Sequence, residues 1–134
     1  MKNIITIDGP SGVGKGTLAM ALAEKLQWHY LNSGSLYRIL AYLSEKNNIG
    51  ISDVTTLVNL VNNLEIRFEI DNGRLKIILN NTDIHELIQN EDCAKKASKI
   101  ALIQEIRMAL IKTQRNFYKN PGLIAEGRDM GSVI

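Results

Sequence analysis

Ile4-Ile5-Thr6-Ile7-Asp8-Gly9-Pro10-Ser11-Gly12-Val13-Gly14-Lys15-Gly16-Thr17 is the stretch on which the fold turns. Its β-branched opening has no polar face and reads as a central parallel strand covered on both sides, halting at Gly9-Pro10. Beyond the glycines, Leu18, Ala19, Ala21, Leu22, Ala23 and Leu26 recur at helical spacing through to Gln27, with Thr17 in the first turn. Between strand and helix, Gly9 to Lys15 fits G-x-x-x-x-G-K, placed where a phosphate loop has to be. Glycines let successive backbone N–H groups turn inward on phosphate oxygens, the helix N-terminus adds its positive end, and Lys15 supplies a mobile point charge. Gly9, Pro10, Ser11, Gly12, Val13, Gly14, Lys15, Gly16 and Thr17 are therefore the expected phosphate-binding segment. The position after the lysine usually carries a hydroxyl that meets Mg²⁺, but here it is Gly16 and the hydroxyl follows at Thr17. Thr17 then either contacts phosphate, leaving Mg²⁺ held by phosphates and water, or caps the helix.

Outward from the loop, Trp28 to Leu31 reads as a second short strand, and Asn32-Ser33-Gly34 leads into a helix carrying Leu36, Ile39, Leu40 and Leu43. Ser52 and Asp53 read as the N-cap of a helix with Val54, Leu57, Val58 and Val61 inward. Leu64, Ile66, Phe68 and Ile70 alternate with charged residues, Asp71-Asn72-Gly73 is a hairpin turn, and Leu75 to Leu79 returns. Helical texture follows over Glu91 to Ala101 and over Leu102 to Tyr118, the second with Arg107, Lys112 and Arg115 outward. Pro121-Gly122 stops it, and Leu123 to Glu126 reads as another core strand ending at Gly127-Arg128-Asp129, where open α/β sheets place ligands. The fold class is α/β, a parallel sheet with flanking helices of phosphate-loop type, with a small antiparallel element inserted.

At 134 residues and 45% hydrophobic, the chain has the length of one domain and can bury a core. A formal charge of +2 with interspersed signs excludes an electrostatic nucleic-acid or membrane binder, so affinity for anions is local. A single cysteine, Cys93, forms no internal disulfide, and Met1-Lys2-Asn3 leads into a strand pattern instead of a signal peptide's apolar core. A reducing cytoplasm is the expected compartment. Cys93, His29 and His85 have no partner constellation and no resident metal site is expected.

Transfer of a phosphoryl group requires a second anion site facing the loop. The candidates are Arg38, at the start of the second helix, and Arg128, after the last strand. In these contexts the sequence closely resembles the bacterial cytidylate kinases, a branch of the nucleoside monophosphate kinases. The resemblance rests on Ile7 to Gly12 running into Gly14-Lys15-Gly16-Thr17, on Ser33-Gly34-Ser35-Leu36-Tyr37-Arg38, on Ala97-Ser98 with Arg107 beyond, and on Gly127-Arg128-Asp129-Met130-Gly131. It spans the chain without insertion or deletion between motifs. Adenylate kinases differ at Ser11-Gly12 and over Ser33 to Arg38, and shikimate and gluconate kinases place a hydroxyl directly after the lysine.

The resemblance implies ATP-dependent phosphorylation of CMP or dCMP with Mg²⁺, a cytoplasmic location and a monomeric complete enzyme. It implies that Lys15 and Arg128 are catalytic, that Arg38 and Arg128 hold the acceptor phosphate, that Ser98, Arg107 and Asp129 read cytosine, and that Ser33 belongs to the same CMP-binding set. Cytosine presents an amine beside two ring acceptors, which suits a carboxylate and a guanidinium. From the residues alone, Ser98 also fits small-residue packing, Arg107 a solvated helix charge, Asp129 a turn, and Tyr37 a packing aromatic. Asn32 stands where the family commonly has aspartate. A core is expected at residues 1–36 and 120–134, with the acceptor-binding region at about 37–119. The family continues into further strands, an arginine-bearing lid and a last helix. The chain is therefore expected to be the first part of a larger kinase, the alternatives being a non-catalytic fragment that retains phosphate binding or a phosphate-loop kinase for another small substrate. Missing strands are expected to leave an edge beside Ile4 to Ile7 unpaired.

Overall fold

The computed structural model describes residues 3–9, 14–127 and Met130, with Lys15 described in its backbone only. Three strands, β1 (Ile4–Asp8), β2 (His29–Asn32) and β6 (Leu123–Gly127), form a parallel sheet in the order β1-β6-β2. Helix α1 (Lys15–Leu26) connects β1 to β2, and α2 (Ser33–Lys46) follows β2 directly. A second sheet is antiparallel, β3 (Ile66–Asp71), β4 (Arg74–Leu79) and the two-residue β5 (Thr82–Asp83). Helices α3 (Val54–Asn62), α4 (Glu91–Ile100) and α5 (Gln104–Arg115) complete the order, with a 3₁₀ turn over Glu86–Ile88. The expected α/β class with an inserted antiparallel element is the observed one. No helix among the described residues is long and apolar enough to cross a membrane.

The central strand is β6 and not, as the apolar run of Ile4 to Ile7 led one to expect, β1. All five residues of β6 are buried, and it pairs in parallel with both neighbours, Ile124 lying opposite Ile5 on one side and Tyr30 on the other. β1 pairs with β6 alone among the described residues and is only half-buried. An all-apolar run identifies a strand that accepts cover on both faces, but the order of strands is set by which edges find partners.

Local chemistry explains most element boundaries. Asn32 and Asp53 accept the backbone N–H of Ser35 and Thr56 at 3.0 and 3.3 Å, and Asn90 accepts that of Cys93 at 2.8 Å, so three helices start where an N-cap acceptor is available. Asn72 and Gly73, at φ of 52° and 76°, make the positive-φ turn that a two-residue hairpin requires. Along β3, Ile66, Phe68 and Ile70 face inward while Arg67, Glu69 and Asp71 are exposed. The last long helix is shorter than its texture suggested. Ile103 is extended and Asn116 begins a turn, so α5 keeps only the segment that can bury Ile106 and Leu110 against the core.

The hairpin is moored to the parallel sheet by Phe68, whose ring meets Tyr30 edge-on at 5.8 Å and Phe117 at 5.6 Å, and by Glu24, which accepts the Gly73 N–H at 3.1 Å. At the start of β6, Gly122 lies under the Trp28 indole, and a Cβ there would fall 2.6 and 2.7 Å from the ring carbons Cε2 and Cε3. Gly122→Ala therefore forces the indole off its seat and should cost about 1–3 kcal/mol. Urea denaturation of the variant checks this; wild-type stability would show that the indole moves freely.

Candidate functional site

At the mouth of the parallel sheet, Gly14 is the N-cap of α1 at φ 78°, a left-handed conformation that glycine adopts without strain. Its carbonyl accepts the first helical hydrogen bond, from Leu18 at 3.1 Å, and Gly9 donates to the Gly127 carbonyl at 3.2 Å. Strand, loop ends and helix thus stand as the phosphate-loop motif requires. Thr17 is exposed in the first turn. Pro10, Ser11, Gly12, Val13, Arg128, Asp129 and the Lys15 side chain lie outside the described residues.

A cleft of about 840 Å³ opens beside this mouth, a size suited to a small molecule. Four of the expected acceptor residues line it: Ser33 and Arg38 from α2, Ser98 from α4, and Arg107 from α5. Glu126 and Gly127, at the end of β6 and directly before Arg128 in sequence, also line it. Gly127 is packed closely there, since a Cβ on it would lie 2.8 Å from both Ser33 Cβ and Met130 Sδ. Asp8 accepts the Met130 N–H at 2.6 Å and so ties the end of β1 to the chain beyond β6.

Arg38 is half-buried and donates one Nη1 hydrogen bond to the Ile88 carbonyl at 2.9 Å, which fixes the base of its guanidinium against the 3₁₀ turn. The Cys93 thiol donates to the Arg38 carbonyl at 3.3 Å, and burial pushes that thiol up while the Arg38 charge opposes it. Cys93 therefore steadies the arginine-bearing turn. Burial also raises the Tyr37 hydroxyl, opposed by the positive charge of Arg107, and both residues line the cleft. Arg107, Lys112 and Arg115 are all exposed, and Arg107 also lines the cleft.

Sequence reasoning did not single out Tyr30, Glu126 or Gln114. Glu126 is 5% exposed and accepts the Tyr30 hydroxyl at 2.5 Å; the Asn32 amide donates to that same hydroxyl at 3.2 Å. Asn32 thus caps α2 with its oxygen and supports Tyr30 with its nitrogen. An aspartate keeps the first function and loses the second, which accounts physically for asparagine beside this tyrosine and carboxylate. The Glu126 carboxylate oxygens also lie 3.7 and 3.8 Å from where a Gly16 Cβ would stand, against the first turn of α1. Among the described residues no three His, Cys, Asp or Glu side chains gather to hold a metal ion. The Glu126 carboxylate, on β6 and close to Gly16, is an oxygen group of the hard type that suits Mg²⁺ arriving with phosphates and water.

Fold and site together define an α/β phosphate-loop protein with a second, arginine-lined cleft at the carboxyl end of its central strand. The family model described as cytidylate kinase matches residues 5–134. Curated relatives named cytidylate kinase include one from Sodalis glossinidius, 48% identical over 98% of this chain, and one from Aeromonas salmonicida, 46% identical over 100% of it. The Escherichia coli K12 relative is 47% identical over 98%. In each case the chain spans 58% of the relative's length. The chain belongs to the cytidylate kinase family.

The Tyr30 hydroxyl is held above its ordinary value of 10.0, first by burial and then by its hydrogen bond to Glu126. Below pH 10 folded and unfolded chains both keep the phenol proton, so the stabilisation is fully present. As pH rises beyond 10 only the unfolded chain loses the proton, and stability falls by up to about 1.4 kcal/mol per pH unit. Tyr30→Phe removes this component and, at neutral pH, costs about 1–3 kcal/mol by stripping the buried carboxylate of its donor. Chemical denaturation at about pH 9 and about pH 11 should show a larger drop for wild type than for the variant; equal drops sink the assignment.

Proposed function

We propose that this chain supplies the phosphate loop and acceptor site of an ATP-dependent kinase that converts CMP and dCMP to CDP and dCDP in the cytoplasm. The carrying observation is that Ser33, Arg38, Ser98 and Arg107, drawn from three helices, line one cleft together with Glu126 and Gly127 of β6. On this reading residues 37–119 form the acceptor region and the rest the core, α2 running across the boundary. Arg38 and Arg128 hold the acceptor phosphate, Ser98, Arg107 and Asp129 read cytosine, and Ser33 contributes to the CMP site.

An acceptor phosphate oxygen is already anionic, so the reaction needs alignment and charge stabilisation more than a general base. Arg38, braced against the Ile88 carbonyl, presents its remaining donors to the phosphate from a fixed base. Loop amides within residues 11–17 and the Lys15 ammonium neutralise the charge that spreads over the transferred group, and Arg128 does so from the acceptor side. Thr17 contacts a nucleotide phosphate. Mg²⁺, when bound with ATP, supplies further neutralisation on the phosphate oxygens. The enzyme works as a monomer without nucleic acid or membrane.

Asp129 accepts the cytosine amine, whereas uracil turns a carbonyl toward it. Two buried acceptors facing each other cost about 1–3 kcal/mol, so kcat/KM for CMP should exceed that for UMP by about tenfold or more. A coupled ADP-release assay on the complete gene product, with CMP, dCMP, UMP and AMP, measures this, and equal efficiency with UMP refutes the cytosine reading. Lys15→Met should lower kcat by roughly 10²-fold with unchanged melting temperature; near-normal turnover removes Lys15 from its role. Because the chain spans 58% of its relatives, a second reading is nucleotide binding without turnover. The same assay on these 134 residues distinguishes the two.

A further inference from the structure

One polar side chain that lines the cleft, Gln114, has no part in the phosphate and cytosine contacts. Gln114 is 2% exposed, lines the cleft, and its Oε1 is buried without a hydrogen-bond partner among the described residues. Residues 107, 111 and 114 fall on one stripe of α5, and all three line the cleft. Gln114 therefore sits two turns, about 10 Å, from Arg107 along the helix axis. It is also the third member of a row with Ile106 and Leu110, both 0% exposed, so an amide fills a position that core packing alone would give to an apolar side chain.

A buried amide oxygen left unpaired costs about 1–3 kcal/mol, and folded proteins pair nearly all such groups. The partner it lacks is a donor. An ionised phosphate offers none, which separates Gln114 from the arginines of the phosphate site. The neutral donors of a cytidine nucleotide are its sugar hydroxyls and its base amine.

We propose that Gln114 is a specificity-determining residue of the acceptor site, its Oε1 accepting a hydrogen bond from a neutral donor on the bound nucleotide, a sugar hydroxyl or the base amine. The proposal rests on the acceptor reading of the cleft. The residue tells a nucleoside monophosphate from a bare phosphate, which Arg38 and Arg128 alone do not.

The test is calorimetric binding of CMP, dCMP and UMP to the complete gene product and to its Gln114→Met variant, which keeps the side-chain length without the acceptor. The ligand-free variant is expected to melt at or above wild type, because the orphan oxygen is gone, while CMP binds about tenfold more weakly. A loss for CMP but not dCMP assigns the 2′-hydroxyl as donor. Loss for CMP and dCMP but not UMP assigns the amine, and equal loss for all three the 3′-hydroxyl. CMP affinity unchanged within about twofold, or a variant melting well below wild type, overturns the proposal, the oxygen then having no ligand partner or an internal one. Independently of the variant's folding, the ¹³Cδ resonance of Gln114 in labelled wild type should move on saturation with CMP; a resonance that stays in place overturns the proposal as well. Wild type that does not bind CMP fails the acceptor reading itself, and this inference with it, whereas wild-type binding with an indifferent variant fails the inference alone.

Discussion

Everything at the site hangs on β6 lying between β1 and β2. Its pairing, with Ile124 between Ile5 and Tyr30, joins three segments widely separated in the chain, and its all-buried Leu123-Ile124-Ala125 run repays that closure with apolar burial on both faces. Where the strand ends, Gly127 is wedged against Ser33 and Met130, Asp8 grips the Met130 N–H, and Gly9 donates to the Gly127 carbonyl. The phosphate-loop mouth and the acceptor cleft are thus two sides of one strand end.

The inserted region answers a different requirement. Its Leu57, Ile77, Ile88, Ile100, Ile106 and Leu110 are fully buried in one apolar cluster with Leu31, Leu123 and Ala125 of the parallel sheet, and Phe68 and the Glu24–Gly73 hydrogen bond add further ties to the core. Three helices of this interior turn a small number of polar side chains toward the cleft, each from an element whose opposite face is in the core. Rigid cleft walls follow from that arrangement, and Arg38 gains a fixed base from the Ile88 carbonyl.

Beneath the mouth, Asn32, Tyr30 and Glu126 form a chain in which the Asn32 amide donates to the Tyr30 hydroxyl and that hydroxyl donates to the Glu126 carboxylate. Such a network fits one particular set of residue types, because a single hydroxyl proton cannot serve two carboxylates. The substitution of asparagine at position 32 is intelligible only together with Tyr30 and Glu126.

Local chemistry was legible in the sequence. The loop pattern between Gly9 and Thr17, the hairpin at Asn72-Gly73, the Asp53 cap and the alternation of β3 all depend on residues a few positions apart; the strand and helix flanking the loop, the hairpin, the cap and the alternation each stand where the sequence places them. Ser33, Arg38, Ser98 and Arg107 were also nameable, because their motifs resemble a family's. That β6 and not β1 is central, that those four side chains share one cleft, that Tyr30 serves Glu126, and that Gln114 holds an unpaired oxygen were decided by tertiary structure alone. The reason is range: caps, turns and periodicity are settled within a few residues, whereas strand order and the partner of a buried polar atom depend on which distant segments exclude water together.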